Sequence, residues 1–127
     1  MSMINHISIG VADVARSARF YDSALAPLGY TRLSDSPDAI GYGSEGSAAF
    51  WVMTAKKPVP PDSESGLHVC FDAPTRASVD TFHQAALSTG GHDNGAPGVR
   101  SEYGPRYYAA FVIDPDGYRV EAYCSGT

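Results

Sequence analysis

The chain has 127 residues, of which 43% are hydrophobic and 18% are charged, and its formal net charge is −5. This length fits one domain with a buried core, and the acidic balance argues against binding to nucleic acid or to an anionic membrane. No apolar run approaches the roughly 20 residues that cross a bilayer, and no secretory signal is apparent, so we expect a cytoplasmic protein.

The sequence contains an internal repeat. A shift of 62 residues, the separation between His6 and His68, aligns the two segments that carry these histidines. The same shift also aligns Phe20 with Phe82, Ala24 with Ala86 and Gly29 with Gly91. Two copies of one module, each beginning with a histidine-bearing strand, predict two half-domains that fold toward a shared centre.

In chain order, the first half predicts one strand, one helix and three further strands. Alternation over residues 6–11 is typical of a strand, and Asp13 is the expected N-cap of a helix that ends at Pro27 and Gly29. Strands are predicted over 30–33, 39–42 and 48–53, the last two joined by a hairpin at 44–46. The proline-rich segment 56–65 is the predicted linker between the halves.

The second half predicts a strand over 66–71 and a helix capped by Thr75 or Ser78. A long irregular loop is predicted over 92–105, then a strand over 107–113, a turn over 114–117 and a strand over 118–124. We interpret the order as βαβββ twice in a single domain, 1–127: a first module over 1–55, the linker, and a second module over 66–125. Cys70 and Cys124 are expected to be reduced, buried thiols.

Three side chains have the chemistry of a metal site. Strand alternation places His6, His68 and Glu121 on faces opposite the aliphatic positions of their strands. A lone strand histidine is more often a structural residue, and a lone glutamate can be a rim carboxylate. The matched positions in the repeat favour ligands, because a 2-His-1-carboxylate set binds a divalent metal and leaves other positions open. Iron(II), manganese, nickel and zinc all suit this set.

The sequence resembles the vicinal oxygen chelate superfamily over essentially its whole length. That superfamily includes glyoxalase I, bleomycin-resistance proteins, extradiol dioxygenases and fosfomycin-resistance thiol transferases. The resemblance rests on His6, Ala18–Tyr21, Leu28–Tyr30, His68, Asp114–Gly117 and Glu121. It implies an α+β fold in which two βαβββ modules form an open, barrel-like mixed sheet around a metal. It also implies a homodimer, in which His6 of one subunit can join His68 and Glu121 of the other.

The fourth ligand position of glyoxalase I is occupied by a different kind of residue here. Aligning the hairpin at 45–46 with residues 116–117 places Phe50 opposite Glu121, and neither Phe50 nor its neighbour Trp51 binds a metal. Classical glyoxalase I activity is therefore disfavoured. We expect a metal-dependent lyase or dioxygenase for a small oxygenated substrate. The alternative is a drug-binding or thiol-transferase resistance protein of the bleomycin or fosfomycin type, which sequesters or modifies a small molecule.

Further residues are expected around the metal. The candidate acid–base residues are Tyr103, Tyr107, Tyr108 and His92. The candidate substrate-binding residues are Phe50, Trp51, Asn94, Arg100 and Arg119. Core packing remains the alternative for the aromatic residues, turn formation for Asn94, and a solvated position for each arginine.

Overall fold

The computed structural model describes residues 3–126, so the outermost residues of the predicted domain, 1, 2 and 127, lie outside the described part. It contains two modules of the same order. The first module consists of β1 (Ile7–Val11), α1 (Val14–Leu25), a short 3-10 helix (Ala26–Leu28), β2 (Thr31–Ser36), β3 (Ala39–Ser44) and β4 (Ser47–Thr54). The second consists of β5 (His68–Asp72), α2 (Arg76–Ser88), β6 (His92–Val99), β7 (Tyr108–Ile113) and β8 (Arg119–Cys124).

Each module forms its own four-stranded mixed sheet. The strand orders are β1-β4-β3-β2 and β5-β8-β7-β6. In both sheets the first strand pairs in parallel with the last, while the other neighbours are antiparallel. This arrangement confirms the predicted α+β fold of two βαβββ modules, and the two sheets do not close into a barrel. Within residues 3–126, no helix is long and apolar enough to cross a membrane.

Both helices begin at residues that the sequence identified as caps. The Asp13 side chain accepts a hydrogen bond from the backbone N–H of Arg16 at 3.2 Å. Thr75 and Ser78 form a reciprocal capping box, so both candidate caps of α2 take part. Such caps satisfy N–H groups that have no partner inside the helix and contribute about 1 kcal/mol each.

The prediction of an irregular loop over 92–105 was wrong for its first eight residues, which form β6. This strand lies at the edge of the second sheet, and its pairing with β7 shifts register between Asp93 and Gly95 and again between Gly95 and Gly98. An edge strand accepts glycine, proline and bulges because one side needs no ladder partner. The glycine- and proline-rich composition that suggested a loop is therefore compatible with this strand.

The modules are joined on their helix sides by the turn between β7 and β8. Tyr21 of α1 donates a hydrogen bond to the buried carboxylate of Asp114 at 2.6 Å. Arg16 and Ser17 both bind Asp116, at 2.8 and 3.1 Å. Burial raises the pKa of Asp114, although Tyr21 and two backbone N–H groups oppose that shift. The Asp-Pro-Asp-Gly segment thus fastens the second module to the first helix.

Each sheet buries one face and leaves the other open. On β8 the inward side chains are Val120, Ala122 and Cys124, and all three are buried in the common core. The opposite face of the same sheet carries Cys70, which is exposed, so the prediction of two buried thiols holds for Cys124 only. Cys70 lies on β5, a sheet edge, where the face away from the helix has no covering layer.

Candidate functional site

The open face of the second sheet is organised around Glu121. Strand register places Cys70 on one side of Glu121 and Phe111 on the other, and Gly95 follows Phe111. Glu121 keeps only 5% of its side chain exposed, yet Oε1 lies 2.7 Å from Nε2 of His68. A carboxylate so deeply buried needs hydrogen-bonding or charged partners, because an unpaired charge is costly away from water. His68 is one such partner, and 42% of its own side chain remains exposed.

Tyr107 supplies the second partner of this carboxylate. Its hydroxyl donates a hydrogen bond of 2.6 Å to Oε2 of Glu121, so each carboxylate oxygen has one ring-bearing neighbour. Burial and the adjacent carboxylate raise the pKa of Tyr107, which keeps the hydroxyl protonated as a donor. The ring packs on Tyr123 of β8, with 4.1 Å between the ring centroids. Tyr107 is therefore fixed at both its ring and its hydroxyl.

Cys70 also belongs to this cluster. Although the residue as a whole is exposed, desolvation of its sulfur by the surrounding side chains, together with the charge of Glu121, raises the pKa of the Cys70 thiol to about 12. A thiol with such a pKa is protonated at neutral pH, and the thiolate is the form that attacks electrophiles and binds metals. The geometry of the face as it stands therefore gives Cys70 the character of a weak hydrogen-bond donor beside Glu121.

His6, the third predicted ligand, does not meet the other two within this chain. It lies one residue before β1, and its Nδ1 is 2.7 Å from Oδ1 of Asn5. Among residues 3–126, no three His, Cys, Asp or Glu side chains lie close enough to hold a metal ion. One chain therefore brings His68 and Glu121 together and leaves His6 on the other sheet.

Register in the first sheet corrects one alignment made from the sequence. In the second sheet Glu121 pairs with Cys70, and in the first sheet the residue paired with Ser8, the counterpart of Cys70 in the repeat, is Trp51. Trp51, and not Phe50, thus occupies the place of Glu121. A bulge in β4 next to Gly43 adds one residue to this strand and shifts the count. Indole offers an N–H donor and no metal-binding oxygen, so the fourth ligand of glyoxalase I is absent at this place.

Trp51 lies flat on the open face of the first sheet. A Cβ added at its neighbour Gly41 would come within 3.0 Å of three atoms of the indole ring. Glycine at this position therefore lets the ring approach the backbone of β3. Met53, on the same face, is 41% exposed. This face is accordingly apolar and aromatic, in contrast to the polar face of the second sheet.

The predicted acid–base residues are not gathered around Glu121. Tyr108 points to the helix side, where its hydroxyl donates to Asp80 at 2.6 Å and Arg76 lies over its ring. Tyr103 is 67% exposed in a turn, with its ring 5.2 Å from that of Tyr107. His92 is exposed at the start of the edge strand β6. Adjacent strand residues face opposite sides, so of the neighbouring candidates Tyr107 and Tyr108 it is Tyr107 that contacts Glu121.

The predicted substrate-binding residues also separate. Phe50 is buried between the rings of Tyr21 and Phe71 and belongs to the core. Asn94 is exposed in the irregular part of β6. Arg119 donates hydrogen bonds from Nη1 to the carbonyl oxygens of Pro61 and Gly117, and so anchors the linker. Trp51 and Arg100 lie on open faces, and Arg119 shares the face of Glu121 by its alternation on β8.

Two hollows adjoin the site. A small one of about 170 Å³ lies beside His68 and Arg119 and is bounded by linker residues 62–66. A cleft of about 830 Å³ opens where β1 and β5 approach each other, between Ile7, Phe50 and Phe71. This cleft touches the cluster only through Cys70, and neither Glu121 nor His68 lines it. The His68–Glu121 pair therefore lies on the open face of the second sheet, outside this cleft.

Comparisons with known proteins agree with this fold. The model of the Glyoxalase/Bleomycin resistance protein/Dioxygenase superfamily matches residues 3–122. A glyoxalase/bleomycin resistance protein from Albidiferax ferrireducens T118 is 30% identical, with a TM-score of 0.81, and the match covers 97% of this chain and 98% of that one.

Two more distant structures share the fold. A glyoxalase-related enzyme from Fulvimarina pelagi is 17% identical, with a TM-score of 0.75 and coverage of 98% of this chain and 88% of that one. A glyoxalase/bleomycin resistance protein/dioxygenase family enzyme from Burkholderia phytofirmans PsJN is 17% identical, with a TM-score of 0.72 and coverage of 95% and 97%. No curated protein matches the chain. The chain belongs to the Glyoxalase/Bleomycin resistance protein/Dioxygenase superfamily.

Proposed function

We propose that this protein is a metal-dependent lyase or dioxygenase that acts on a small oxygenated molecule at the open face of the second sheet. The observation that carries the proposal is the Glu121–His68 pair, with 2.7 Å between Oε1 and Nε2 on a solvent-accessible face. An imidazole nitrogen and a carboxylate oxygen are donors that iron(II), manganese, nickel and zinc all accept. A bound cation would replace the direct contact between Nε2 of His68 and Oε1 of Glu121.

The residues present fit a divalent cation in part, because they supply two of the three predicted ligands. We propose that His6 of a second copy of the chain is the third, in a homodimer whose first sheet faces the second sheet of its partner. The alternation that places Ser8 on the open face of β1 directs His6 to the same side. Such a set would hold a cation and leave positions open to substrate, and the chemistry it would supply is that of a Lewis acid.

The chain's own residues have separate tasks at this face. Tyr107 holds Oε2 of Glu121 and so fixes the direction in which the other carboxylate oxygen points. The raised pKa of Tyr107 keeps its hydroxyl protonated, so this hydrogen bond is maintained at neutral pH. Phe111, beside Glu121 in register, gives an apolar floor that limits access of water. Because Trp51 replaces the fourth ligand, we do not assign the isomerisation catalysed by glyoxalase I.

A second candidate function is supported by the open face of the first sheet. Trp51 presents a flat ring over Gly41, next to the exposed side chain of Met53. Such a surface binds planar apolar molecules by stacking and by burial of apolar area. A protein of this type would sequester a drug-like ligand without turnover, as bleomycin-resistance proteins do.

Metal content of the purified protein tests the primary proposal. We expect a stoichiometric divalent metal in the native protein, loss of most of it in His68→Ala and in Glu121→Ala, and retention in His92→Ala. Loss of one of three ligands leaves a poor chelate, whereas His92 lies on the edge strand, two strands from Glu121. Elemental analysis after removal of loosely bound ions measures each occupancy.

The same preparations distinguish the two functions. Full metal occupancy in both His68→Ala and Glu121→Ala would contradict the metal site. Two results together would favour sequestration. The native protein would contain no metal and bind none of the four metals, and planar aromatic compounds would quench the fluorescence of its single tryptophan. Native metal that a chelator removes with loss of activity supports the lyase or dioxygenase. Circular dichroism spectra of all variants verify that each one is folded.

A further inference from the structure

Arg100 is a cation held on the open face of the second sheet. It follows β6, and its backbone N–H donates to the carbonyl of Tyr107 at 2.8 Å. The guanidinium carbon lies 5.3 Å from the ring centroid of Phe111, which is a cation–π distance. The side chain is thereby fixed over the face that carries Glu121, although the chain bends away after β6.

Two glycines of β6 make room for this guanidinium. A Cβ added at Gly98 would lie 3.2 Å from Nη1, and one added at Gly95 would lie 3.1 Å from Nη2. Gly95 also has a φ of +150°, a conformation that other residues rarely adopt. The glycines that made this segment look like a loop therefore form a cradle for a planar cation.

Most of the hydrogen-bonding capacity of Arg100 remains available. Nη2 donates to the carbonyl of Ala96 at 2.6 Å, and this is its one side-chain hydrogen bond within residues 3–126. No Asp or Glu in that part of the chain forms an ion pair with it. A guanidinium has five N–H groups in a rigid fork that matches carboxylate and phosphonate oxygens. The arrangement is that of a fixed anion-binding group.

The position of Arg100 relative to Glu121 defines what it would bind. Phe111 separates the two groups: Arg100 lies over its ring, and the His68 ring lies 5.9 Å from the same centroid. Both groups therefore adjoin the Phe111 ring, and a substrate long enough to cross this ring would contact Arg100 at one end and the His68–Glu121 pair at the other. We propose that the substrate of the site carries an oxyanion, a carboxylate or a phosphonate, which Arg100 binds across the Phe111 ring. This assignment rests on the proposed function, since it names the substrate class of the same face.

Titration with small anions tests this inference. Pyruvate and methylphosphonate represent the two oxyanions, and methyl pyruvate is the neutral counterpart of pyruvate. The protein is first stripped of metal with a chelator that is then removed. The backbone ¹⁵N–¹H shifts of Gly95, Ala96, Gly98, Val99 and Arg100 are then followed at low ionic strength. We expect at least one anion to bind, methyl pyruvate to bind at least tenfold more weakly than pyruvate if pyruvate is that anion, and Arg100→Gln to weaken anion binding at least tenfold.

Matched variants separate charge from position. Arg106→Gln removes the same charge from an exposed residue of the following loop and should leave binding unchanged. Gly98→Ala keeps the charge and fills the cradle, so we expect weaker binding. If anion binding is lost in Arg100→Gln but not in Gly98→Ala, the anion site is supported and the role of Gly98 in positioning the guanidinium is overturned. Absence of binding by both anions, or equal affinity in Arg100→Gln and Arg106→Gln, overturns the inference.

Anion binding to the metal-free protein and metal content are separate measurements, so the two proposals can fail independently. Arg100-dependent binding to the stripped protein together with a failed metal analysis would leave the oxyanion assignment standing and remove the metal-dependent function. Stoichiometric metal with no Arg100-dependent anion binding would leave the metal-dependent function standing and remove the oxyanion assignment. The relative affinities for pyruvate and methylphosphonate identify which oxyanion the site prefers.

Discussion

At the scale of single residues, Glu121 depends on its two partners. It is nearly inaccessible to solvent, and His68 and Tyr107 each contact a different carboxylate oxygen. The hydroxyl of Tyr107 is the contact that would persist when His68 and Glu121 both bind a cation. Groups that orient a ligating carboxylate affect affinity nearly as much as some ligands do. We therefore assign Tyr107 a positioning role in the proposed site.

Tyr107→Phe tests this role. The variant keeps the ring that packs on Tyr123 but removes the donor to Oε2, so the carboxylate is free to rotate. We expect metal affinity to fall by about 10- to 100-fold, measured by competition with a chromogenic chelator. The control is Tyr123→Phe, which removes a hydroxyl from the other ring of the same pair. Equal affinities for Tyr107→Phe and the native protein would show that Tyr107 does not orient the ligand.

At the scale of elements, β6 is the irregular part of the second sheet, and α2 holds it in place. His83 of α2 lies with Nε2 at 2.9 Å from Oδ1 of Asp93. The backbone N–H of Gly95 donates to the same oxygen at 2.9 Å. These two contacts, the Gly95 N–H first, lower the pKa of Asp93 below its usual value. The start of the strand that leads to Arg100 is thus tied to the helix.

Asp93→Asn tests the contribution of this carboxylate to stability. Since the native pKa is lowered, the ionised carboxylate stabilises the fold above its unfolded pKa of about 3.9, and that contribution disappears as the pH falls through the native pKa. We expect the Asp93→Asn substitution to lower the urea midpoint at neutral pH and to have no such effect at strongly acidic pH. Asp38→Asn, in an exposed turn, is the control. A difference from the native protein that stays constant with pH would refute the pKa assignment.

The regular strands were predictable because alternation was intact. The pattern over β1, β5 and β8 predicted which residues share a face, and His68 and Glu121 do lie together. The caps Asp13 and Thr75 were predictable because a short polar side chain before an apolar helical pattern has few other local uses. Cys70 stands two residues after His68 on the same strand, so the alternation could have predicted its place on the open face.

The irregular elements were not predictable from pattern alone. The glycines of β6 are typical of a loop, and only its pairing with β7 makes it a strand. The bulge in β4 exchanged Phe50 for Trp51, since one inserted residue reverses the faces that follow it. Tyr107 and Tyr108 were both candidates, and only the strand's alternation in the folded sheet separates them, since it directs Tyr107 to the face of Glu121 and Tyr108 to the helix side. Phe111 and Arg100 were brought together by register and by a bend, which no local pattern encodes.

At the scale of the whole molecule, the contacts between modules lie on the side of the helices. The Asp114–Gly117 turn binds α1, and the Tyr118 hydroxyl donates to the carbonyl of Gly10 on β1. The open faces of the two sheets are left without a covering layer, and they bear complementary parts of the predicted ligand set. The repeat in the sequence indicated which residues are candidate ligands. It gave no signal for whether they meet within one chain, because that depends on how two modules pack.

We propose that a second copy of the chain completes the site, so that His6 of one subunit joins His68 and Glu121 of the other. Mixing two defective variants tests it most directly. His6→Ala and Glu121→Ala each damage every site of their own homodimer. A mixed dimer with sites between subunits has one intact site and one doubly damaged site.

The measurement is metal content of a mixture of these two variants, refolded together, against each variant refolded alone. If the subunits pair at random, we expect the metal occupancy of the mixture to recover to about one quarter of the native value, while either variant alone stays nearly empty. The native protein refolded in the same way gives the reference. A mixture no better loaded than the two variants separately, from a preparation that is dimeric and folded, would contradict a site shared between subunits.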